Sequence, residues 1–181
     1  KKVEDVNLPD AWLSELPKVK EAFLKIPSTE IWHEDTLKST VKQIQFYWAA
    51  GFFNSKETLI KILNELSDLC DMVKKQAEVG KKYDPTNNKY YETEYTLYSC
   101  DIMIGNNCVY LKSDSKTASY LGYNTFNFIQ TRNDYFNRQT EDWINNILAK
   151  SDLVSVVSER LRNQFFQNAT SHIDRMKAQI H

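Results

Sequence analysis

The sequence predicts a mainly α domain: a bundle of about four to six helices with a β-hairpin inserted near its centre, giving minor α+β character. Three observations carry this. Apolar residues recur at i, i+3, i+4 and i+7 over most of the chain. One stretch, roughly 90–112, is instead rich in Tyr, Thr and Ile and alternates. Only 4 glycines and 4 prolines occur, and three of them, Pro27, Gly51 and Gly80, fall where a helix has to stop. The 181 residues contain no repeat, low-complexity tract or evident linker, so 1–181 reads as one domain.

Taken in order, Asp10 caps a short turn holding Trp12 and Leu13. Val19, Ala22, Phe23 and Ile26 then form the apolar stripe of a helix that Pro27 ends. A second helix starts with Asp35 as N-cap, carries Leu37, Val41, Ile44, Trp48 and Phe52 on one face, and stops at Gly51. Asn54 followed by Glu57 resembles a capping box. The third helix follows with Leu59, Ile62, Leu63, Leu66, Cys70, Val73 and Ala77, and ends at Gly80. With so short a connection, helices two and three are expected to pack as an antiparallel hairpin, with Trp48 and Leu63 in the core. Residues 81–89 read as a polar loop. Tyr90–Ile104 and Cys108–Lys112, joined by Gly105-Asn106-Asn107, read as the two arms of the hairpin. After the polar stretch Ser113–Ser119, helical spacing returns at Phe126, Ile129, Asn133, Phe136, Trp143 and Ile147, with a break expected near 138–140. Ser151 is expected to cap a last long helix whose stripe runs from Val154 to Ile180.

Charge narrows the classes of function. The chain holds 23 basic and 24 acidic residues, a formal net charge of −1, with no basic excess in either half. Phosphate neutralisation supplies most nucleic-acid affinity, so there is no strong nucleic-acid signal. All the arginines, from Arg132 to Arg175, lie in the second half. No apolar run is long enough to span a membrane. The three cysteines, Cys70, Cys100 and Cys108, are odd in number and not spaced as metal ligands. They fit free thiols in a reducing, cytoplasmic compartment, with a Cys100–Cys108 bridge across the hairpin left open.

No phosphate-cradling glycine loop, nucleophile elbow or paired Cys-x-x-Cys is present, and no cofactor, metal ligand or catalytic residue is assigned. Weaker constellations remain. His33 lies beside Glu34 and Asp35, and His172 lies near Arg175. Glu92 and Glu94 share one side of a strand. Arg132-Asn133 and Arg162-Asn163 resemble the opening of the RNase motif of the HEPN type, but no histidine follows at the required spacing, so the resemblance is not carried over. The tyrosines are more suggestive. Tyr83, Tyr90, Tyr91, Tyr95, Tyr98, Tyr110, Tyr120 and Tyr123 account for eight of the 10 in the chain and crowd into its middle. Tyrosine joins a large rigid contact area to a hydroxyl, which suits recognition surfaces.

The expected function is therefore a non-enzymatic recognition or regulatory module. It would bind a protein or small ligand through Tyr90, Tyr91, Tyr95, Tyr98, Tyr110, Tyr120 and Tyr123. The alternative is a hydrolase, most plausibly a nuclease, with dispersed Arg, Asp, Glu or His residues. The end of the last helix, around Met176 and Ile180, is expected to support a homodimer.

Overall fold

The computed structural model describes residues 10–33, 35–53, 55–100, 107–112, 118–122, 127–131, 133–155 and 158–180. Within 10–13 and 107–131 it describes the backbone alone. The elements are α1 (Asp10–Leu24), β1 (Ser28–His33), α2 (Thr36–Ala49), α3 (Lys56–Val79), β2 (Lys81–Asp84), β3 (Lys89–Cys100), β4 (Asn107–Lys112), β5 (Ala118–Gly122), β6 (Asn127–Thr131), α4 (Asp134–Leu148), β7 (Asp152–Leu153) and α5 (Glu159–Gln179). Helices hold more of the described residues than strands, so the expected mainly α class with a β component stands.

The sheet is larger than a hairpin. Its order is β2-β3-β1-β4-β5-β6, with β7 on the edge of β3. The two arms expected to pair with each other are separated by β1. It runs parallel to β3, Glu30 opposite Leu97, and antiparallel to β4, Glu30 opposite Val109. Pro27 explains where β1 begins, because a proline pushes the residue before it out of the helical region. The strand itself, Ser-Thr-Glu-Ile-Trp-His, supplies the β-branched and aromatic residues that suit a pleated surface. One consequence is chemical, and it concerns the buried Cys100. With β1 between them, the backbones of Cys100 and Cys108 lie about twice the ~4.8 Å strand spacing apart, beyond disulfide reach.

Both faces of β1 are covered. Trp32, Tyr95 and Leu97 point into the main core with Leu37, Val41, Leu59, Leu63, Val73, Phe166 and Ile173. Ile31 and Cys100 point the other way, against Ile147 of α4, with Tyr98 beside them. The main core is closed by α5, which packs on both α2 and α3 and is the principal helical partner of each. The expected direct α2–α3 hairpin packing is therefore replaced by packing through α5, which lies against both.

Several boundaries differ from expectation. The first segment is one helix that runs through Pro17 rather than a turn followed by a helix. The cap of α3 is Ser55, whose Oγ accepts from Thr58 N at 3.2 Å; Asn54 lies outside the described residues. Gly80 takes the left-handed conformation, φ 72°, and ends α3 as expected. The supposed polar loop 81–89 begins as β2. Residues 127–131 form β6 rather than a helix, and α4 starts behind Asn133, whose side chain accepts from Tyr135 N and Phe136 N. It then runs unbroken through 138–140. The last helix starts behind Ser158, not Ser151, because Val154 and Ser155 are taken by β3. Their N–H groups donate to Leu97 O, and Ser155 Oγ accepts from Leu97 N at 2.8 Å. Met176 is buried in the main core and Ile180 packs against it, so these residues are used within the chain rather than offered to a second copy.

The two large side chains expected in the core separate. Leu63 is 0% exposed, whereas Trp48, near the end of α2, is 36% exposed. Leu63→Ala is expected to cost about 2–5 kcal/mol through the cavity it leaves. Trp48→Ala is expected to cost within about 1 kcal/mol. Urea midpoints of the two variants check this: equal shifts contradict the assignment.

Candidate functional site

The site begins with two buried charges. Glu30 and Trp32 lie two residues apart on β1 and so share a face, and that face is the main-core side of the sheet. Trp32 Nε1 donates to Glu30 Oε2 at 3.0 Å. Burial pushes the Glu30 carboxyl above the usual carboxylate range. The nearby Lys82 charge and the Trp32 and Tyr95 side chains oppose that rise.

Lys82 sits in β2, where the pairing with β3 slips between Lys81 (opposite Glu94) and Tyr83 (opposite Tyr90). Such an irregularity re-aims a side chain. In a regular strand Lys82 and Tyr83 would face opposite sides; here Lys82, Tyr83 and Asp84 are all buried. Gln76 of α3 stabilises the distorted segment by accepting from Tyr83 N at 3.1 Å. Lys82 itself is 0% exposed, and its Nζ has no hydrogen-bond partner among the described residues. The amine instead rests on aromatic faces, 4.2 Å from the Phe23 ring centroid and 5.6 Å from that of Tyr95. Burial pushes it down to about 8, with Glu30 pulling the other way.

Beside this pair lies a largely apolar cavity of about 500 Å³ between α1, α2, α3 and the sheet. Phe23, Leu37, Leu69 and Met72 supply apolar wall, while Glu30 and Gln76 supply polar groups. Phe23 thus forms cavity wall on one side and covers Lys82 Nζ on the other. The α1 side is tied down by Lys20, whose Nζ donates to the buried Asp84 carboxylate at 2.6 Å. That bond, with others from Thr86 N and Asn87, holds Asp84 down to about 2.

The residues singled out in the sequence scatter. Tyr95 is 1% exposed and belongs to the core, not to an exposed surface. Tyr83 is also buried, its hydroxyl donating to Asn88 Oδ1 at 2.7 Å. Tyr98 packs on the Ile31–Cys100–Ile147 cluster. Tyr90 is exposed, and Tyr91 lines a shallow groove with Leu16 and Asp84. The Tyr110 and Tyr120 side chains and all of Tyr123 lie outside the described residues. Glu92 pairs with Lys81 at 2.6 Å on an exposed strand face, and Glu94 is exposed beside it. Arg162 is buried near Glu78.

The structure does bring His33 and His172 together. Both line a groove of about 190 Å³ with Asp35 and Asn168. Asp35 N donates to His33 Nδ1 at 3.0 Å. Burial, reinforced by Arg175, Lys38 and Lys42, lowers His172 below the usual histidine range. Among the described residues, no three His, Cys, Asp or Glu side chains are grouped to hold a metal. None of the described helices is long and apolar enough to cross a membrane. The Cys70 thiol is pushed up to about 12 by burial and is therefore inert.

Glu30 and Lys82 passed unremarked at the sequence level. The one available signal was a pair of lysines, Lys81 and Lys82, between Gly80 and Tyr83 in an apparent loop, which carries no information about burial.

The Lys82 shift makes stability depend on pH. Between about 8 and the ordinary lysine value, the unfolded chain holds a proton that the folded chain has released. Stability therefore rises with pH across that window. Lys82 faces Glu30 from β1, the Tyr95 ring from β3 and the Phe23 ring from α1. Replacing both charges, Lys82→Met with Glu30→Gln, is expected to abolish this rise. It is also expected to raise stability at neutral pH by about 1–4 kcal/mol, as replacing a buried pair often does. Urea midpoints measured across the alkaline range check both effects.

No family model, curated protein or solved structure matches this chain.

Proposed function

We propose that this chain is a recognition module that binds a small, largely apolar ligand bearing one hydrogen-bonding head group. The ligand occupies the cavity between α1, α2, α3 and the sheet. The observation that carries this reading is the buried Glu30 carboxyl, held by Trp32 Nε1 and set into an apolar wall around about 500 Å³. A buried carboxyl is costly unless it is paired, and pockets for small molecules combine apolar walls with a few placed polar groups. The apolar wall accepts the ligand body, and Glu30 and Gln76 orient its head. Tyr90 is exposed outside this cavity and is the candidate contact for a protein partner that would read the bound state.

The test is titration of the full chain with Nile red, an apolar fluorophore. Saturable binding of one molecule per chain is expected. Leu69→Trp, at a partly exposed cavity-wall position, is expected to weaken it at least about tenfold by filling the space. An unchanged melting temperature in that variant shows that the fold is intact. Equal binding to both proteins refutes the reading.

A second reading, phosphodiester hydrolysis, is favoured by one observation: His33 and His172 share a groove near Lys38, Lys42 and Arg175. Paired histidines suit general acid–base transfer. On that reading His172→Ala abolishes cleavage of single-stranded RNA by the purified chain. Activity that survives the substitution excludes it.

A further inference from the structure

We infer that Lys82 is a reactive amine that captures an apolar aldehyde or ketone as a reversible imine inside the cavity lined by Glu30 and Phe23. This rests on the cavity reading above and names its ligand class.

Four features of the structure support it. Lys82 is fully buried with no hydrogen bond to its Nζ among the described residues, an arrangement that costs stability. It stands where the β2–β3 pairing slips, so its inward aim is a product of the backbone rather than of a flexible surface lysine. Its surroundings are Phe23 and Tyr95, whose rings take the place of water, and that desolvation favours an amine in its neutral, nucleophilic form. A carboxyl, Glu30, lies near enough to interact with it and opens onto the cavity.

The access route is defined as well. Phe23 both covers the amine and lines the cavity, and it is 41% exposed, so rotation of one ring uncovers Nζ to a cavity ligand.

The chemistry balances without an added reagent. The Nζ lone pair forms a bond to the carbonyl carbon, and the carbonyl π pair moves to oxygen. The two amine protons leave with that oxygen as water, and a C=N bond remains. Glu30 takes a proton from nitrogen and returns it to the departing oxygen, so it ends unchanged. Water reverses each step. Burial holds the amine at about 8, so a substantial neutral fraction exists at mildly alkaline pH, where exposed lysines are protonated.

The experiment is reductive trapping. The full chain is treated with limiting hexanal and sodium cyanoborohydride, and modified peptides are identified by mass spectrometry. Lys82 is expected to carry the hexyl group before the exposed Lys18 and Lys25, with a rate that rises as pH passes through about 8. Phe23→Ala is expected to speed trapping several-fold, Glu30→Gln to slow it about tenfold, and Lys82→Arg to eliminate it at that position. Modification that appears first at Lys18 and Lys25, with Lys82 unmodified even in Phe23→Ala, overturns the inference. Nile red binding separates the two levels. Saturable dye binding with no trapping at Lys82 refutes the imine alone, whereas absence of both refutes the cavity reading together with it.

Discussion

The rest of the molecule depends on β1 being paired on both edges and covered on both faces. A strand with β3 on one side and β4 on the other has no free backbone edge to offer solvent. Its alternate side chains must then find apolar partners above and below. Ile31 finds them in α4, and Trp32 in the core closed by α5. The long sequence separations follow from this. The strand pairs with residues far along the chain, and α5 returns from the C-terminus to pack on α2 and α3. A parallel β1–β3 pair needs a long crossover, and α2, α3 and β2 supply it.

The same arrangement sets the electrostatics. Glu30 shares a face with Trp32, so whatever buries the tryptophan buries the carboxyl. Lys82 is brought to the same region by the slipped register of β2, fixed in turn by Gln76 and by the chain reversal at Gly80. Neither charge is solvated, and they do not form a direct ion pair among the described contacts. Burial accordingly drives the two groups toward their neutral forms, the acid upward and the amine downward. Two titratable groups displaced toward each other beside an apolar cavity make this region chemically distinct from the exposed ion pairs, such as Lys18–Glu15, on the surface.

The aromatic residues illustrate how composition and position diverge. The crowding of tyrosines between 83 and 123 is real, yet the structure uses them differently. Tyr95 and Tyr83 are core, Tyr98 joins the α4 side, and Tyr90 reaches solvent. Sequence density therefore marked a β-rich region correctly without marking a surface. By contrast, Trp48 and Phe52 looked like core by helical spacing and are exposed, because the buried residues of α2, Thr36, Leu37 and Val41, are confined to its first turns.

What the sequence determined by itself is local. The extent of α3, its stop at Gly80, the start of α2 behind Asp35 and the strand character of 90–100 and 108–112 are all legible. Periodicity, capping and β-propensity act over a few residues. The tertiary structure alone decided which strands pair, because hydrogen-bond partners in a sheet are set by packing rather than by neighbouring sequence. It alone turned 28–33 into a central strand. Burial on both faces erases the alternation that marks a half-exposed one, and the glutamate at its centre hides it further. It alone made a site of Glu30 and Lys82. A lysine becomes a perturbed amine only when a register slip and an aromatic cover remove it from water, and neither is written in the residues beside it.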